Sequence, residues 1–415
     1  MERVLPRAAI PDLDSYRSAG GGAGLERARD IGGPALIEEV RRSGLRGRGG
    51  AGFPTGIKWR GAAASPGPRA VVCNAAEGEP GTLKDREIMN RNPYRVLEGL
   101  AIAAMAVGAT SAYVGVKARF GPQITRLEQA ASEMSQAGLL EGIDLRLVDG
   151  PDDYLFGVET AMLEVIQGND PLPRLVPPYI QGLIGRDGTE FAIVVNNVET
   201  LANVPGIISN GADWYRSVGT ERSPGTMVFT VSGDVRTPTT TELALGTPLS
   251  FLIYGEGGGM ADGRQPKMVV SGVSNRPLTA DEFDTPLSFE ALEAIGSGLG
   301  SGGFLVYNDR TCAVEVGAVL SDFLQRGSCG QCPPCKLGTT AFARGFHRIM
   351  EGESSLEEVE ELTAWISRVT DANRCGLGAG QRALATGILV NFAEDVAACL
   401  AGTCPGHREL TLPFL

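Results

Sequence analysis

The hydrophobic and polar positions of the first half of the chain alternate between two periods. Short apolar runs (RAVVCN, SAYVGV, DLRLVDG, FAIVV) are separated by helical patterns such as PALIEEVRRSG and PQITRLEQAASEMSQAGLLEG. Pro34 suits the first turn of the first of these helices and Gly44 suits its end. Strands and helices that alternate in this way are typical of a mostly parallel sheet covered by helices. We therefore predict an α/β domain over residues 1–225.

The pattern changes twice in the second half. TMVFTVSGDV, KMVVSGV and FLVYN are short β-rich pieces, with a helix expected near Thr247, and they predict a small α+β domain over residues 226–305. Helical spacing then dominates, in VEVGAVLSDFLQRG, SLEEVEELTAWISRVTDA (355–372) and QRALATGILVNFAEDVAACL. A helical domain over residues 306–415 is predicted from this spacing.

Charge and composition exclude several classes of protein. The chain of 415 residues has a formal net charge of -12, which leaves no extended basic face for nucleic acid. We see no run of about eighteen apolar residues and no secretory pattern at the N-terminus. The expectation is a cytoplasmic protein without direct membrane insertion, with peripheral attachment to a membrane complex left open.

Three of the eight cysteines lie close together. Cys329, Cys332 and Cys335 form CGQCPPC, and Cys375 follows in NRCGLGAG. Three cysteines at successive CxxC spacings with a distant fourth indicate a four-iron four-sulfur cluster, and the glycine and prolines between them favour a loop. A zinc site with the same four thiolates is the alternative. The other four cysteines lack this spacing and are assigned no ligand role: Cys73, Cys312, Cys399 and Cys404. A minor second site at Cys399 and Cys404 is left open.

A glycine-dense segment, SGLRGRGGAGFPTGIKWR, precedes the first predicted strand. Glycines let the backbone approach a ligand and turn its amides toward phosphate, and Arg48 and Lys58 add positive charge. A turn-rich connector would have the same composition. After the strand, Asn74 is followed by Glu77 and Glu79, at the edge where open parallel sheets place ligands. A solvated acidic loop is the alternative there.

Several segments together resemble the NADH-binding, flavin-carrying 51-kDa-type subunit of respiratory complex I, the F-subunit family of NADH:quinone oxidoreductases. GRGGAGFPTG, EGEPGT, KDREIM, PRLVPP, VVNNVETLANVP, GSGG and CGQCPPC match that family in order. The resemblance covers roughly residues 30–400. It implies a Rossmann-like flavin domain, a ubiquitin-like β-grasp (SLBB-type) domain and a C-terminal helical bundle that holds the iron-sulfur cluster.

The resemblance also implies the chemistry and its residues. NADH would give a hydride to FMN, and single electrons would pass to the 4Fe-4S cluster and on to a partner, a small 2Fe-2S thioredoxin-like subunit or another iron-sulfur protein. Lys58 and Glu79 are the catalytic candidates. The cofactor-binding candidates are Gly47, Arg48, Gly49, Gly50, Phe53, Lys58, Asn74, Glu77, Glu79, Tyr154, Gly157, Glu159, Tyr179, Asn196, Asn197 and Thr200.

Three positions depart from the family pattern. Ala76 replaces an aspartate, Val158 replaces a glutamate, and Gly61 stands where an aromatic residue is usual. One alternative is therefore an FMN and cluster relay that does not use NADH directly. Another is a scaffold subunit with a decayed nucleotide pocket, against which the retained Lys58 and Glu79 argue.

Overall fold

The computed structural model describes residues 2–185, 187–369 and 374–413. Its contacts divide the chain into two units. The first contains the chain up to Gly78, Leu83–Phe229 and Thr240–Gly246, and the second contains Glu79–Thr82, Thr230–Thr239 and the chain from Thr247 onward.

A five-stranded sheet lies in the first unit, in the order β3-β2-β1-β5-β4. β1, β2, β3 and β5 are parallel neighbours, and β4 pairs antiparallel with β5 at the edge. The predicted mostly parallel sheet is thus confirmed. Its strands are β1 (Arg69–Ala75), β2 (Ser111–Lys117), β3 (Asp144–Gly150), β4 (Leu183–Ile184) and β5 (Glu190–Asn197).

The direction of sheet growth reverses at β1. From β1 the chain adds β2 and then β3 on one side, and β5 pairs on the other. A reversal of this kind leaves a crevice at the carboxyl ends of the two strands, where open α/β sheets bind ligands. Asn74 and Asn197 are register partners at those ends. The sheet topology therefore selects the edge at which β1 and β5 finish.

Helices surround this sheet. α6 is apolar on nearly all sides and is buried along most of its length, with Asn92 capping its start and Gly108 ending it at φ 70°. A Cβ at Gly99 would lie 2.0 Å from the Leu201 carbonyl oxygen of α9, so glycine is needed where these helices meet. The helices are α1 (Leu13–Ser18), α2 (Ala23–Ile31), α3 (Gly33–Ser43), α4 (Thr55–Ala64), α5 (Lys84–Arg91), α6 (Pro93–Val107), α7 (Gly121–Gln136), α8 (Glu159–Ile166), α9 (Val198–Asn210) and α10 (Ala212–Arg216).

A second five-stranded sheet follows the order β7-β6-β10-β8-β9. β10 is parallel to β6 and antiparallel to β8, and β9 is antiparallel to β8. The three β-rich pieces predicted from the sequence are β6, β8 and β10, and the helix expected near Thr247 is the short α11 with a π-helical turn after it. The elements are β6 (Thr226–Gly233), β7 (Thr239–Ala244), α11 (Leu249–Phe251), β8 (Pro266–Ser271), β9 (Leu278–Thr279), α12 (Phe289–Ala294) and β10 (Gly303–Asn308).

The remainder of the second unit is helical, as predicted. The apolar residues of α13 and α14 are buried, and a Ser355–Glu358 capping box starts α15. The helix predicted over 355–372 ends at Arg368, and residues 370–372 lie outside the described part of the chain. The helices are α13 (Ala313–Gly327), α14 (Pro333–Met350), α15 (Leu356–Arg368), α16 (Leu377–Thr386) and α17 (Ala393–Leu400), with a π-helical turn over Gly387–Asn391.

Among the described residues, no single helix is long and apolar enough to cross a membrane. One pair of consecutive segments, Leu377–Asn391 and Ala393–Leu400, passes the same test of length and composition, with a bend of 73° between them.

Candidate functional site

The glycine-dense segment forms a closed loop. Gly47 N donates to the Phe53 carbonyl at 2.9 Å, and Thr55 N donates to the Leu45 carbonyl at 2.9 Å. A Cβ at Gly49 would lie 3.3 Å from Cβ of Asn197, so the loop lies directly against the carboxyl end of β5. Gly50 adopts φ 115°, which glycine tolerates best. The loop is thus more than a connector, because it lies at the crevice that the sheet topology selects.

Three asparagines meet at that crevice. Asn74 Nδ2 donates to the Gly157 carbonyl at 2.7 Å, which fixes the turn Tyr154–Gly157 against the end of β1. Asn196 Oδ1 accepts from Trp59 Nε1 at 2.8 Å. Asn197 caps α9, because its Oδ1 accepts from Glu199 N at 2.9 Å. The structure therefore brings these predicted residues together at one edge of the sheet.

Lys58 lies on α4, beside the end of β5. Its Nζ donates to the Val195 carbonyl at 2.7 Å and forms an ion pair with Glu159, the first residue of α8. Both side chains are partly exposed, at 25% and 40%. These two predicted residues thus form a charged contact that is open to solvent at the crevice.

The Arg48 side chain is placed differently from its backbone. The backbone amide donates to Thr200 Oγ1 at 2.9 Å, close to the crevice residues. The guanidinium is 1% exposed and donates to the Tyr215 hydroxyl at 2.8 Å and to the Thr226 carbonyl at 2.9 Å. The Arg48 guanidinium therefore holds the first unit together, and the Arg48 amide fixes the glycine loop to Thr200.

A buried network of charges supports Asn197 from below. Lys84 Nζ lies 3.1 Å from Glu199 and donates to Asn197 Oδ1 at 3.1 Å, while Asn197 Nδ2 donates to Asp85 at 2.6 Å. Burial raises the pKa of Glu199. Burial alone would lower the pKa of Lys84, but Asp85 and Glu199 outweigh it, so the pKa is raised. Sequence reasoning assigned no role to Lys84, Asp85 or Glu199, although KDREIM was among the matching motifs.

Glu77 belongs to the same network. Its carboxylate accepts from Asp85 N at 2.9 Å and from Arg86 Nε at 2.9 Å. Burial, followed by the neighbouring Asp85, raises its pKa. The solvated acidic loop considered from the sequence is excluded for Glu77, because the residue is only 7% exposed.

The two predicted aromatic contacts lie at the surface of the first unit. Phe53 is 53% exposed and Tyr179 is 80% exposed. Exposed rings of this kind offer a planar apolar face on which a base can stack.

Glu79 belongs to the second unit and is described there. Its carboxylate accepts from Val273 N at 2.6 Å, and a Cβ at Gly272 would lie 2.5 Å from its Oε1. Thr82 Oγ1 lies 3.2 Å from Ser301 Oγ. The loop Glu79–Thr82 is therefore fixed on the second sheet and its glycine-rich connections.

The four predicted cluster cysteines are half-buried or buried. Burial raises the pKa of Cys375, and the nearby thiols of Cys329, Cys335 and Cys332 raise it further. The loop expected between the cysteines ends early, because α14 begins at Pro333 and Cys335 lies in its first turn. Proline is favoured at the first helical positions, which accounts for the difference.

Polar groups surround these thiols. Gln331 Nε2 donates to Cys329 Sγ at 3.4 Å, and Ser328 Oγ lies 3.5 Å from Cys335 Sγ. Hydrogen bonds to the sulfurs tune the potential of an iron-sulfur cluster. A second group of side chains among the described residues, Cys312, Cys399, Cys404 and His407, has ligand atoms that all lie within 4.8 Å of one another. Four thiols with polar groups beside two of them are the donor set that a 4Fe-4S cluster requires.

Together, the crevice with its glycine loop and the four-thiol site define a flavin-dependent iron-sulfur oxidoreductase subunit. Comparison with protein families agrees. Residues 40–206 match the Nuo51 FMN-binding domain, residues 228–275 match the SLBB domain, and residues 315–399 match the iron-sulfur binding region of NADH-ubiquinone oxidoreductase-F. The chain belongs to the F-subunit family of NADH-quinone oxidoreductases.

Individual relatives extend over nearly the whole chain. The NADH-quinone oxidoreductase F subunit 2 of Rhizobium meliloti is 38% identical over 97% of this chain and 99% of its own length. The NADH-quinone oxidoreductase F subunit of Aquifex aeolicus is 36% identical over 95% of this chain and 93% of its own length. A chain of NAD+-reducing [NiFe]-hydrogenase in the H2-reduced state superposes with a TM-score of 0.84 at 31% identity, covering 97% of this chain and 68% of that one. The predicted Rossmann-like, β-grasp and helical cluster-binding architecture is thus confirmed.

Proposed function

We propose that this chain oxidises NADH through FMN bound at the crevice between β1 and β5, and passes single electrons to a 4Fe-4S cluster held by Cys329, Cys332, Cys335 and Cys375. The observation that carries the proposal is the meeting of the glycine loop with the polar ends of β1 and β5 at the switch point of the sheet. The matches to an FMN-binding model and an iron-sulfur model support it.

The glycine loop is the proposed phosphate site. The backbone of Gly47–Gly50 approaches Asn197 closely enough that a side chain at Gly49 would be crowded. Gly47 N and Arg48 N are hydrogen-bonded within the protein, so the amides of Gly49 and Gly50 are the ones we propose for the anion. Lys58 adds a positive charge at the end of β5. FMN held there would supply a hydride acceptor that can release electrons singly, and the four cysteines would hold a cluster that carries one electron at a time.

The side chains around the crevice would orient the flavin and the dinucleotide. Asn74 and Asn196 fix the strand ends, and Thr200 holds the glycine loop. Tyr154 and Gly157 belong to the turn after β3, and Glu159 begins the helix that follows it. Phe53 and Tyr179 would stack on the dinucleotide, as their exposed rings allow. Lys58 stabilises the negative charge that develops on reduction, and Glu79 positions the dinucleotide. Glu77 acts through Asp85 and Arg86 as a positioning residue.

A partner protein receives the electrons. The relatives are named as subunits of NADH-quinone oxidoreductases, and the structural neighbour is a chain of a hydrogenase. We propose that this acceptor is a small 2Fe-2S thioredoxin-like subunit or another iron-sulfur protein of a larger redox complex. We also propose that the protein is located in the cytoplasm. We also propose the domain limits 1–225, 226–305 and 306–415, each of which contains one of the three matched stretches.

An anaerobic titration tests this function. The purified protein is mixed with NADH while flavin absorbance is followed, and dithionite is added afterwards to show full reduction. We expect bleaching by NADH in the native protein and loss of that bleaching in Lys58→Met. A flavin that responds to dithionite and not to NADH would contradict direct NADH oxidation.

A second function, an FMN and cluster relay fed by a protein donor, is favoured by one observation. A Cβ at Gly157 would lie 3.2 Å from the Ala76 carbonyl, so Ala76 and Val158 replace family carboxylates at the same place in the crevice. The double variant Ala76→Asp, Val158→Glu restores both charges. If only this variant is bleached by NADH, the relay describes the native protein; if both are bleached equally, NADH oxidation does.

A further inference from the structure

Three cysteines and a histidine of the second unit converge away from the predicted cluster. Cys312 directly precedes α13, Cys399 lies in α17, and Cys404 and His407 follow in the segment after it. Their ligand atoms all lie within 4.8 Å of one another. No role was predicted for Cys312 or His407, and nothing in the mechanism uses these side chains.

The spacing of these atoms matches a single tetrahedral ion. Sγ of Cys312 lies 3.5 Å from Sγ of Cys399, and His407 Nε2 lies 3.9 Å from Cys399 Sγ and 3.7 Å from Cys404 Sγ. Zinc with Zn–S bonds of about 2.3 Å and a Zn–N bond of about 2.0 Å separates its ligands by roughly 3.8 Å for two sulfurs and 3.6 Å for sulfur and nitrogen. The set therefore has the dimensions of a zinc site before any ion is added.

The chemistry of the donors also selects zinc. Three thiolates with one imidazole are a common structural zinc set, and the spacing Cys399-x4-Cys404-x2-His407 is short enough for one ion to hold all three. Cys312 supplies the third thiol from a separate element, because it directly precedes the 15-residue helix α13. The Cys312–Cys399 separation of 3.5 Å is well beyond the sulfur-sulfur bond of about 2.0 Å in a disulfide.

We propose that Cys312, Cys399, Cys404 and His407 bind one zinc ion, which fastens the C-terminal segment to the start of α13 and to α17. The ion enters as Zn²⁺, and three thiol protons leave to solvent with no change in oxidation state. This site is separate from the redox chain and holds with or without the proposed function.

The segment that the ion would fasten has its own contacts nearby. The backbone amides of Arg408 and Leu410 donate to Glu315 at 3.0 Å, and the Arg408 guanidinium pairs with Asp234 at 2.8 Å. Further along, the Pro413 carbonyl accepts from Gly81 N at 3.2 Å, in the loop that carries Glu79. Zinc at Cys404 and His407 would therefore set the path of a segment that contacts the Glu79–Thr82 loop at Pro413.

Metal analysis of the full-length protein tests the site. The chain is produced with zinc in the medium, passed over a mild chelating resin, and analysed for zinc and iron by mass spectrometry. We expect one zinc per chain, with a zinc absorption-edge spectrum showing three sulfur ligands at about 2.3 Å and one nitrogen at about 2.0 Å. That spectrum is specific for zinc, so a bound iron cluster does not interfere.

Matched variants identify the ligands. Cys404→Ser and His407→Gln should lose the zinc, whereas His347→Gln, at the other histidine of the chain, and Cys73→Ser, in the first unit, should retain it. Cys332→Ser should also retain it, which excludes the predicted cluster site as the zinc site.

A second readout does not depend on metal content. Loss of zinc should expose the segment after Leu400 to limited proteolysis while circular dichroism stays unchanged. The proposal would be overturned by any of three results. The native protein could contain no zinc, zinc could persist in both Cys404→Ser and His407→Gln, or Cys312 and Cys399 could form a disulfide in place of the zinc site.

Discussion

Replacing Lys84 should destabilise the first unit far more than replacing Lys58, although both lysines form ion pairs near the crevice. Lys84 is 1% exposed and lies 3.1 Å from Glu199, which is fully buried. Lys84→Met leaves Glu199 and Asp85 with less compensation inside the protein. Breaking a buried pair by removing one partner costs about 3–5 kcal/mol.

Lys58→Met is the matched comparison. Lys58 and Glu159 are 25% and 40% exposed, so water replaces the lost partner and the expected cost in stability is about 0–1 kcal/mol. The two substitutions remove the same functional group and leave side chains of the same size. A difference of at least about 2 kcal/mol between them is the expected result.

Urea unfolding followed by tryptophan fluorescence measures the difference. Trp59 and Trp214 belong to the first unit and Trp365 to the second, so a Trp365→Phe background makes the signal report the first unit. Lys84→Met should unfold at clearly lower urea, and Lys58→Met should unfold near the parent while losing the response to NADH. Equal midpoints for the two variants would refute the reasoning that burial makes the Lys84 network the structural one.

Three further results are expected. Cys73 is fully buried and its thiol pKa is raised by burial, so iodoacetamide should leave it unmodified in the native protein; its rapid labelling would show that β1 opens. Gly99→Ala should destabilise by about 1–3 kcal/mol because its Cβ would meet the Leu201 carbonyl, whereas Gly61→Ala, with open space around it, should be neutral or stabilising in thermal unfolding. Burial raises the pKa of Glu199 above 4.5 in the folded protein. The stability that protonated Glu199 contributes is therefore fully present below pH 4.5 and is lost as the pH rises through the folded pKa. Glu199→Gln should flatten the fall of the urea midpoint over that pH range.

The hydrophobic periodicity predicted helices and strands well where apolar residues are buried and polar residues are exposed. RAVVCN and FAIVV are apolar runs that become the central strands β1 and β5, and PALIEEVRRSG becomes α3 with Gly44 at its end. The order of the strands was not predicted, since it depends on contacts between segments far apart in sequence. α5 was missed for a different reason. Its sequence, KDREIMNR, has the composition of a solvated surface, yet Lys84 and Asp85 are buried because they neutralise Glu199 and hold Asn197.

The candidate sites divide in the same way. CGQCPPC indicates a metal site because its three ligands follow one another at fixed spacing. The group of Cys312, Cys399, Cys404 and His407 gives no such signal in the sequence, because Cys312 is far from the other three along the chain. Arg48 illustrates the limit of a motif. The sequence indicates a positive charge in a glycine loop, while the structure shows that the guanidinium points into the protein and that the backbone amide is bound to Thr200.

The two missing carboxylates, at Ala76 and Val158, are best understood as one change. They are distant in sequence, but Asn74 donates to the Gly157 carbonyl and so holds the end of β1 against the turn before α8. Two carboxylates at one place would repel each other, so each would make the other more costly to keep ionised. The buried Lys84–Glu199 network beneath the crevice is intact. The departures at Ala76 and Val158 therefore change the charge at the crevice and leave the buried network that supports Asn197 in place.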